Sequence, residues 1–415
     1  MKASQSNLPS LLSAITFSLG AVFLFGIALL MGVAALTSVF TKAGIKAEQT
    51  ILLVAFGFEG LVLLAAAFFS FQKFLQKPSA DQNLSISIPH WLTAVFIIAA
   101  GGSILVGYLI GRAKAMEWFF LPLLTLPAIV LPLAALLAFG TKQLPFGTRS
   151  QTWSILGLAM TLGPLVLFTL EIFVAIVILS AAVVYVMTQP ELLSQFQGLA
   201  QQFGTLNPDS EAALDLLAPL LMKPAVMVIV LIYMAVLVPA VEEIFKPIGV
   251  WLFAGTLESQ AQGFALGALS GAGYALIETI GVSAQSADWA SLLFSRIGTG
   301  LLHVTTSALM GGAIVLVWRE RRYARLIGTY LLAVLLHGLW NSLAILFTFS
   351  NLAQLLGQAG RLSTIQPATT IAMVILAIGL SVILVTSNRK MQKTISPPPA
   401  QTEIPDEGIS AEGGN

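Results

Sequence analysis

The sequence predicts an all-α protein, a polytopic bundle of about ten membrane-spanning helices. Three observations carry that prediction. Of 415 residues, 57% are hydrophobic and only 9% are charged, whereas soluble globular domains carry about 25% charged residues. Mean hydropathy is +0.90. The apolar residues are also gathered into long runs, and a crossing helix needs roughly 20 of them in succession.

The runs lie near 14–40, 50–70, 91–111, 118–139, 154–187, 224–255, 262–283, 290–318, 326–349 and 366–386. The first follows a polar start that contains Lys2. It exceeds the apolar stretch of a signal peptide, about 7–15 residues, and is read as an uncleaved first span. The runs 154–187 and 224–255 are too long for one perpendicular crossing, so each must tilt, break or project. Pro239 and Pro247 place the break or kink in the second.

The connection near 188–222 holds Glu191, Asp209, Glu211 and Asp215, and its apolar Leu192, Leu193, Phe196 and Leu199 recur at helical spacing. Asn207-Pro208 reads as a helix cap followed by proline at the first helical position. Two short amphipathic helices on the outer membrane face are expected here. The segment 387–415, with Pro397, Pro398 and Pro399, has too little apolar surface to fold and reads as a disordered cytoplasmic tail. The chain thus divides into an N-terminal membrane region, 1–222, a second helix bundle, 223–386, and the tail.

Basic residues set the orientation. With the N-terminus inside, twelve Lys and Arg are cytoplasmic, including the cluster Arg319, Arg321, Arg322 and Arg325. Seven are outside, and Lys246 lies within a span. Both termini are therefore expected on the cytoplasmic face of the plasma (inner) membrane. A net charge of +1, with no basic run interleaved with aromatics, gives no sign of a nucleic-acid partner. The absence of cysteine excludes disulfides, thiolate catalysis and Cys-ligated metal. Any metal must sit on Asp, Glu or the three histidines, His90, His303 and His337.

Ionisable groups inside a span are costly, so each needs a reason. Glu242, Glu243 and Lys246 stand together inside an apolar run, with Lys246 one helical turn from both carboxylates. Tyr274 and Glu278 share a helix face, after the small residues Gly267, Ala268, Gly271 and Gly273, which allow close helix contact. His303 precedes Ser307, Ala308 and Gly311. His337 and Asn341 are one turn apart, near the middle of their span, with Trp340 beside them. Singly, each has a bland reading: a membrane-boundary charge or a packing polar group. Together they place acid, base and amide groups on four consecutive helices. Glu59 and Glu171 also interrupt apolar runs, but have no neighbouring motif and are read as structural.

In that order these residues resemble the PrsW family of intramembrane proteases, related to CAAX prenyl endopeptidases and bacteriocin-immunity-type membrane proteins. The resemblance rests on Glu242, Glu243 and Lys246; Tyr274 and Glu278; His303, Ser307, Ala308 and Gly311; and His337, Trp340 and Asn341. It spans about 230–350. Thr279 stands where the family tends to have Asn, and Ser307 where Thr is common. The resemblance implies an endopeptidase acting on membrane proteins within the lipid bilayer.

Peptide hydrolysis needs an activated water, oxyanion stabilisation and a proton for the leaving amine. One glutamate of the pair could stay with Lys246 while the other activates water. Glu243 is the preferred base, though the sequence does not separate it from Glu242. In a metal-free, glutamic-type variant, which is favoured, His303, His337 and Asn341 position the water and stabilise the oxyanion, with Lys246, Tyr274 and Glu278 in support. In the alternative, Glu278, His303 and His337 bind a divalent metal such as zinc. No His-Glu-x-x-His helix is present to favour the latter. For the four groups to converge, the 224–255 run must break or project, because Glu242 lies about 28 Å along a straight helix from Lys223 at 1.5 Å per residue. A proton- or ion-coupled transporter could use the same buried groups, but there is no inverted repeat between the halves. An inert scaffold would not need the retained glutamates and histidines.

Overall fold

The computed structural model describes residues 7–84, 88–114, 116–206, 211–284, 289–355 and 364–395. They form helices throughout, with one isolated bridge, Asn83–Thr148, and no β-strand among the described residues. The helices are α1 (Leu8–Phe40), α2 (Ala47–Phe74), α3 (His90–Ala113), α4 (Glu117–Gly140), α5 (Arg149–Met160), α6 (Leu162–Met187), α7 (Pro190–Phe203), α8 (Glu211–Leu221), α9 (Pro224–Ile232), α10 (Val238–Phe245), α11 (Ile248–Phe253), α12 (Gln260–Ser283), α13 (Trp289–Glu320), α14 (Tyr323–Leu355) and α15 (Gln366–Ile395). Ten helical stretches are long and apolar enough to cross a membrane, one for each run in the sequence.

Both over-long runs are interrupted, at prolines. Between α5 and α6 the helix breaks at Thr161. Pro164 has no N–H for the Met160 carbonyl, and the Thr161 hydroxyl donates to the Gly157 carbonyl at 2.7 Å. The run Pro224–Thr256 breaks twice. Tyr233–Leu237 forms one turn of π-helix between α9 and α10, and the chain turns again at Lys246-Pro247 before α11. The sequence expectation of a broken span is met here, with the glutamate pair lying between the two breaks.

Helices α12 and α13 are the most deeply buried pair, packed against each other along a seam of small residues. A Cβ placed on Gly267 would stand 2.2 Å from the Ser307 carbonyl oxygen, and one on Gly311 would stand 2.2 Å from that of Gly263. Backbone contact this close is what small-residue seams permit. Helices α2, α4 and α5 pack on α12, so the N-terminal helices share one apolar core with the second half. By contrast, α6 buries only Gly163, Pro164 and Leu167.

Two helices, α7 and α8, occupy the 188–222 connection. The expected cap at Asn207-Pro208 lies outside the described residues, as does Asp209. Helix α15 continues to Ile395, past the expected start of the tail at 387. Residues 396–415 lie outside the described residues.

Candidate active site

The glutamate pair reaches the histidines because the chain breaks on either side of it. In the π-turn, the Val238 N–H bonds back five residues to the Tyr233 carbonyl. The next donor in that register would be residue 239, a proline, so the Met234 carbonyl is left without a backbone partner. The Asn341 amide donates to it at 2.8 Å. Close by, Gly338 lets α14 approach the Ala235 carbonyl, which a Cβ would meet at 2.2 Å. The Tyr330 hydroxyl donates to the Ala240 carbonyl at 2.8 Å. At the second break the Lys246 carbonyl accepts from the buried Ser270 hydroxyl at 2.7 Å. These side chains on α12 and α14 hydrogen-bond backbone carbonyls at and between the two breaks. An Asn341→Leu substitution is expected to cost about 1–3 kcal/mol, the penalty for leaving an acceptor unsatisfied away from water, read as a lower Tm in lipid nanodiscs.

Lys246 is the hub of the cluster. It is fully buried, as is Glu243, and its ammonium is ion-paired with Glu243 and lies 3.3 Å from Glu242 Oε2. It also stands 2.9 Å from His303 Nδ1 and 3.3 Å from His337 Nδ1. His337 Nδ1 lies 2.8 Å from Glu243 Oε1, so its proton points at that carboxylate. His303 Nε2 lies 2.8 Å from Glu278 Oε2, and Arg296 holds Glu278 at 2.7 Å. That arrangement places the His303 proton on Nε2 and leaves its Nδ1 lone pair facing the ammonium. The Tyr274 ring meets His303 edge-on at 5.2 Å, and the two imidazoles meet at 5.4 Å.

The structure therefore brings Glu242, Glu243, Lys246, Tyr274, His303 and His337 together. Glu278 lies behind His303, on the nitrogen turned away from Lys246. Asn341 is held on the Met234 carbonyl, and its amide supports the π-turn. Trp340 packs over Gly298, where a Cβ would stand 2.2 Å from the indole, and so seats α14 on α13. Ser307 and Gly311 belong to the α12–α13 seam.

Three donors fit a divalent cation: Glu242, His303 and His337, whose ligand atoms lie within 4.8 Å of one another. This set differs from the Glu278, His303 and His337 suggested by sequence, because the depth of Glu278 on α12 puts it behind the imidazole rather than beside it. Two further features suit a metal site. The buried Oε2 atom of Glu242 has no hydrogen bond, only an ion-pair contact with Lys246 at 3.3 Å. His303 is backed by a carboxylate, as metal-binding histidines commonly are.

Glu171, read from the sequence as structural, also comes near the cluster. Its carboxyl, on α6, is close enough to Glu242 for a side-chain hydrogen bond. The signal was present, an acid in an otherwise apolar run, but nothing in the sequence told which neighbour it meets. Glu59 is buried in α2, and neither of its oxygens has a hydrogen-bond partner.

No curated protein and no solved structure matches the chain. A sequence model described as PrsW family intramembrane metalloprotease matches residues 151–380, more than half of the 415. The match starts well before the first motif and takes in α5 and α6. With its helical membrane architecture and its buried glutamate–histidine cluster, this chain belongs to the PrsW family of intramembrane proteases.

Proposed function

We propose that the chain hydrolyses peptide bonds of membrane proteins at the Glu242–Glu243–His303–His337 cluster. The observation that carries this reading is the meeting of two acidic and two imidazole side chains around one buried ammonium, from α10, α13 and α14. Glu243 is the base for the attacking water, held in place by Lys246 and His337. Lys246, steadied by the two imidazoles, presents the N–H donor where a peptide carbonyl oxygen gains charge, and donors preorganised in a buried site are worth more than in water. Glu278 and Arg296 fix the tautomer of His303. Asn341 keeps the π-turn, and with it the glutamate pair, in register.

Glu242, His303 and His337 would hold the metal that the family description implies. A bound zinc ion supplies Lewis-acid polarisation of water or of the scissile carbonyl. One observation favours the glutamic-type alternative: Lys246 already stands among the same donors as a cation. Chelation distinguishes the two. Loss of proteolysis on chelator treatment of the reconstituted protein, restored by zinc, is the expected result for the metal reading. Unchanged proteolysis would establish the glutamic type.

We place the catalytic unit within 223–386, surrounded by the N-terminal helices, with both termini on the cytoplasmic face of the plasma (inner) membrane. The test of the overall reading is cellular. Membrane-protein fragments are compared by mass spectrometry between wild type, Glu243→Gln and His337→Ala. The same membrane substrates should accumulate uncleaved in both variants. If none does, the protease assignment to this cluster is wrong. Altered ion flux without change in fragments would point instead to a transporter.

A further inference from the structure

We propose that Glu171 is a positioning residue for Glu242, a carboxyl delivered by a largely lipid-facing helix to hold one donor of the cluster. The inference rests on the reading of Glu242 as part of the active site.

Residue 171 touches the Glu242-bearing run twice. Its side chain comes close enough to Glu242 for a hydrogen bond. Its backbone carbonyl accepts from the Tyr233 hydroxyl at 3.0 Å, and Tyr233 opens the π-turn that precedes Glu242. One turn of α6 is thus pinned to the irregular segment that sets the depth of the glutamate pair.

Helix α6 itself gives no reason for an acid at position 171. Helix α6 is apolar, and Phe168, Ile172 and Phe173 around Glu171 are exposed. A carboxyl in such a helix is costly unless it meets a partner. The Oε1 atom of Glu171 is buried and no donor from another residue reaches it, while the carboxyl group lies close to Glu242.

The arrangement repeats what Glu278 does for His303. Each donor is backed by a carboxyl from a different helix, α12 for the imidazole and α6 for Glu242. Such supporting groups orient ligands, and their loss costs about 10–100-fold in metal affinity. A hydrogen bond between two carboxyl groups needs one proton between them. Glutamine at 171 would supply the donor as an N–H, whereas leucine would supply none.

The experiment uses the full chain in lipid nanodiscs, stripped of metal and titrated with zinc. Wild type, Glu171→Gln and Glu171→Leu are compared. Glu171→Leu is expected to lower zinc affinity about ten- to hundredfold, while Glu171→Gln stays within a few-fold of wild type. Equal affinity for Glu171→Leu and wild type overturns the proposal, and so does an equal loss in both variants. A wild-type chain that takes no zinc would remove the metal reading, and the positioning role would then be decided by a double-mutant cycle on Tm. Non-additive Tm changes for Glu171→Leu and Glu242→Gln support it. Additive changes overturn it, while the cellular loss of cleavage in Glu243→Gln would stand or fall separately.

Discussion

Replacing Lys246 by methionine should lower stability by about 3–5 kcal/mol, the scale for removing one partner of a buried ion pair. The ammonium is fully buried and neutralises Glu242 and Glu243 at once, while both imidazoles turn an Nδ1 toward it. Methionine keeps much of the side-chain volume and removes the charge. Two carboxylates would then stand side by side, with only His337, 2.8 Å from Glu243, to offset their charge. A second substitution should recover part of the loss: Glu242→Gln combined with Lys246→Met removes one of the stranded negative charges. Thermal unfolding in nanodiscs reads both effects. A Lys246→Met chain that unfolds at the wild-type temperature would show that the ion pair does not hold the cluster together.

Gly271→Leu should cut proteolysis by about a hundredfold, the scale set by displacing a catalytic group by about 1 Å. A Cβ at position 271 would stand 2.2 Å from the His303 carbonyl oxygen and 2.8 Å from its carbon. Both atoms are backbone, so no rotamer change relieves the clash, and α13 must move. That motion takes His303 away from Lys246 at 2.9 Å and from Glu278 at 2.8 Å. Overpacking itself should cost about 1–3 kcal/mol. Gly281→Ala, on the same helix, is the control, because a Cβ there meets nothing within 4 Å. Cleavage of a substrate identified from the cellular comparison measures both variants, and equal activity for Gly271→Leu would remove the seam from any role in placing His303.

Composition and run length alone determined that this protein is a helical membrane bundle with ten spans. Their reason is local: water cannot satisfy backbone polar groups inside a bilayer, so a long apolar run has to become a helix. The sequence also marked Glu242, Glu243, Lys246, His303 and His337, because charge inside an apolar run stands out without any structure. It located the broken span through Pro239 and Pro247. Tertiary structure decided which of these groups meet. The sequence suggested Asn341 as an oxyanion donor and Glu278 as a supporting group or metal ligand, yet helix depth puts Glu278 behind His303 and sets Asn341 on the Met234 carbonyl. Only the fold shows that α6 leans on the π-turn, through the Tyr233 hydroxyl and the Glu171 carbonyl. Such contacts depend on helix rotation, depth and crossing, which are set by side-chain packing between segments far apart in the chain. A periodic pattern reports which face of a helix is apolar, and leaves open which neighbour that face will meet.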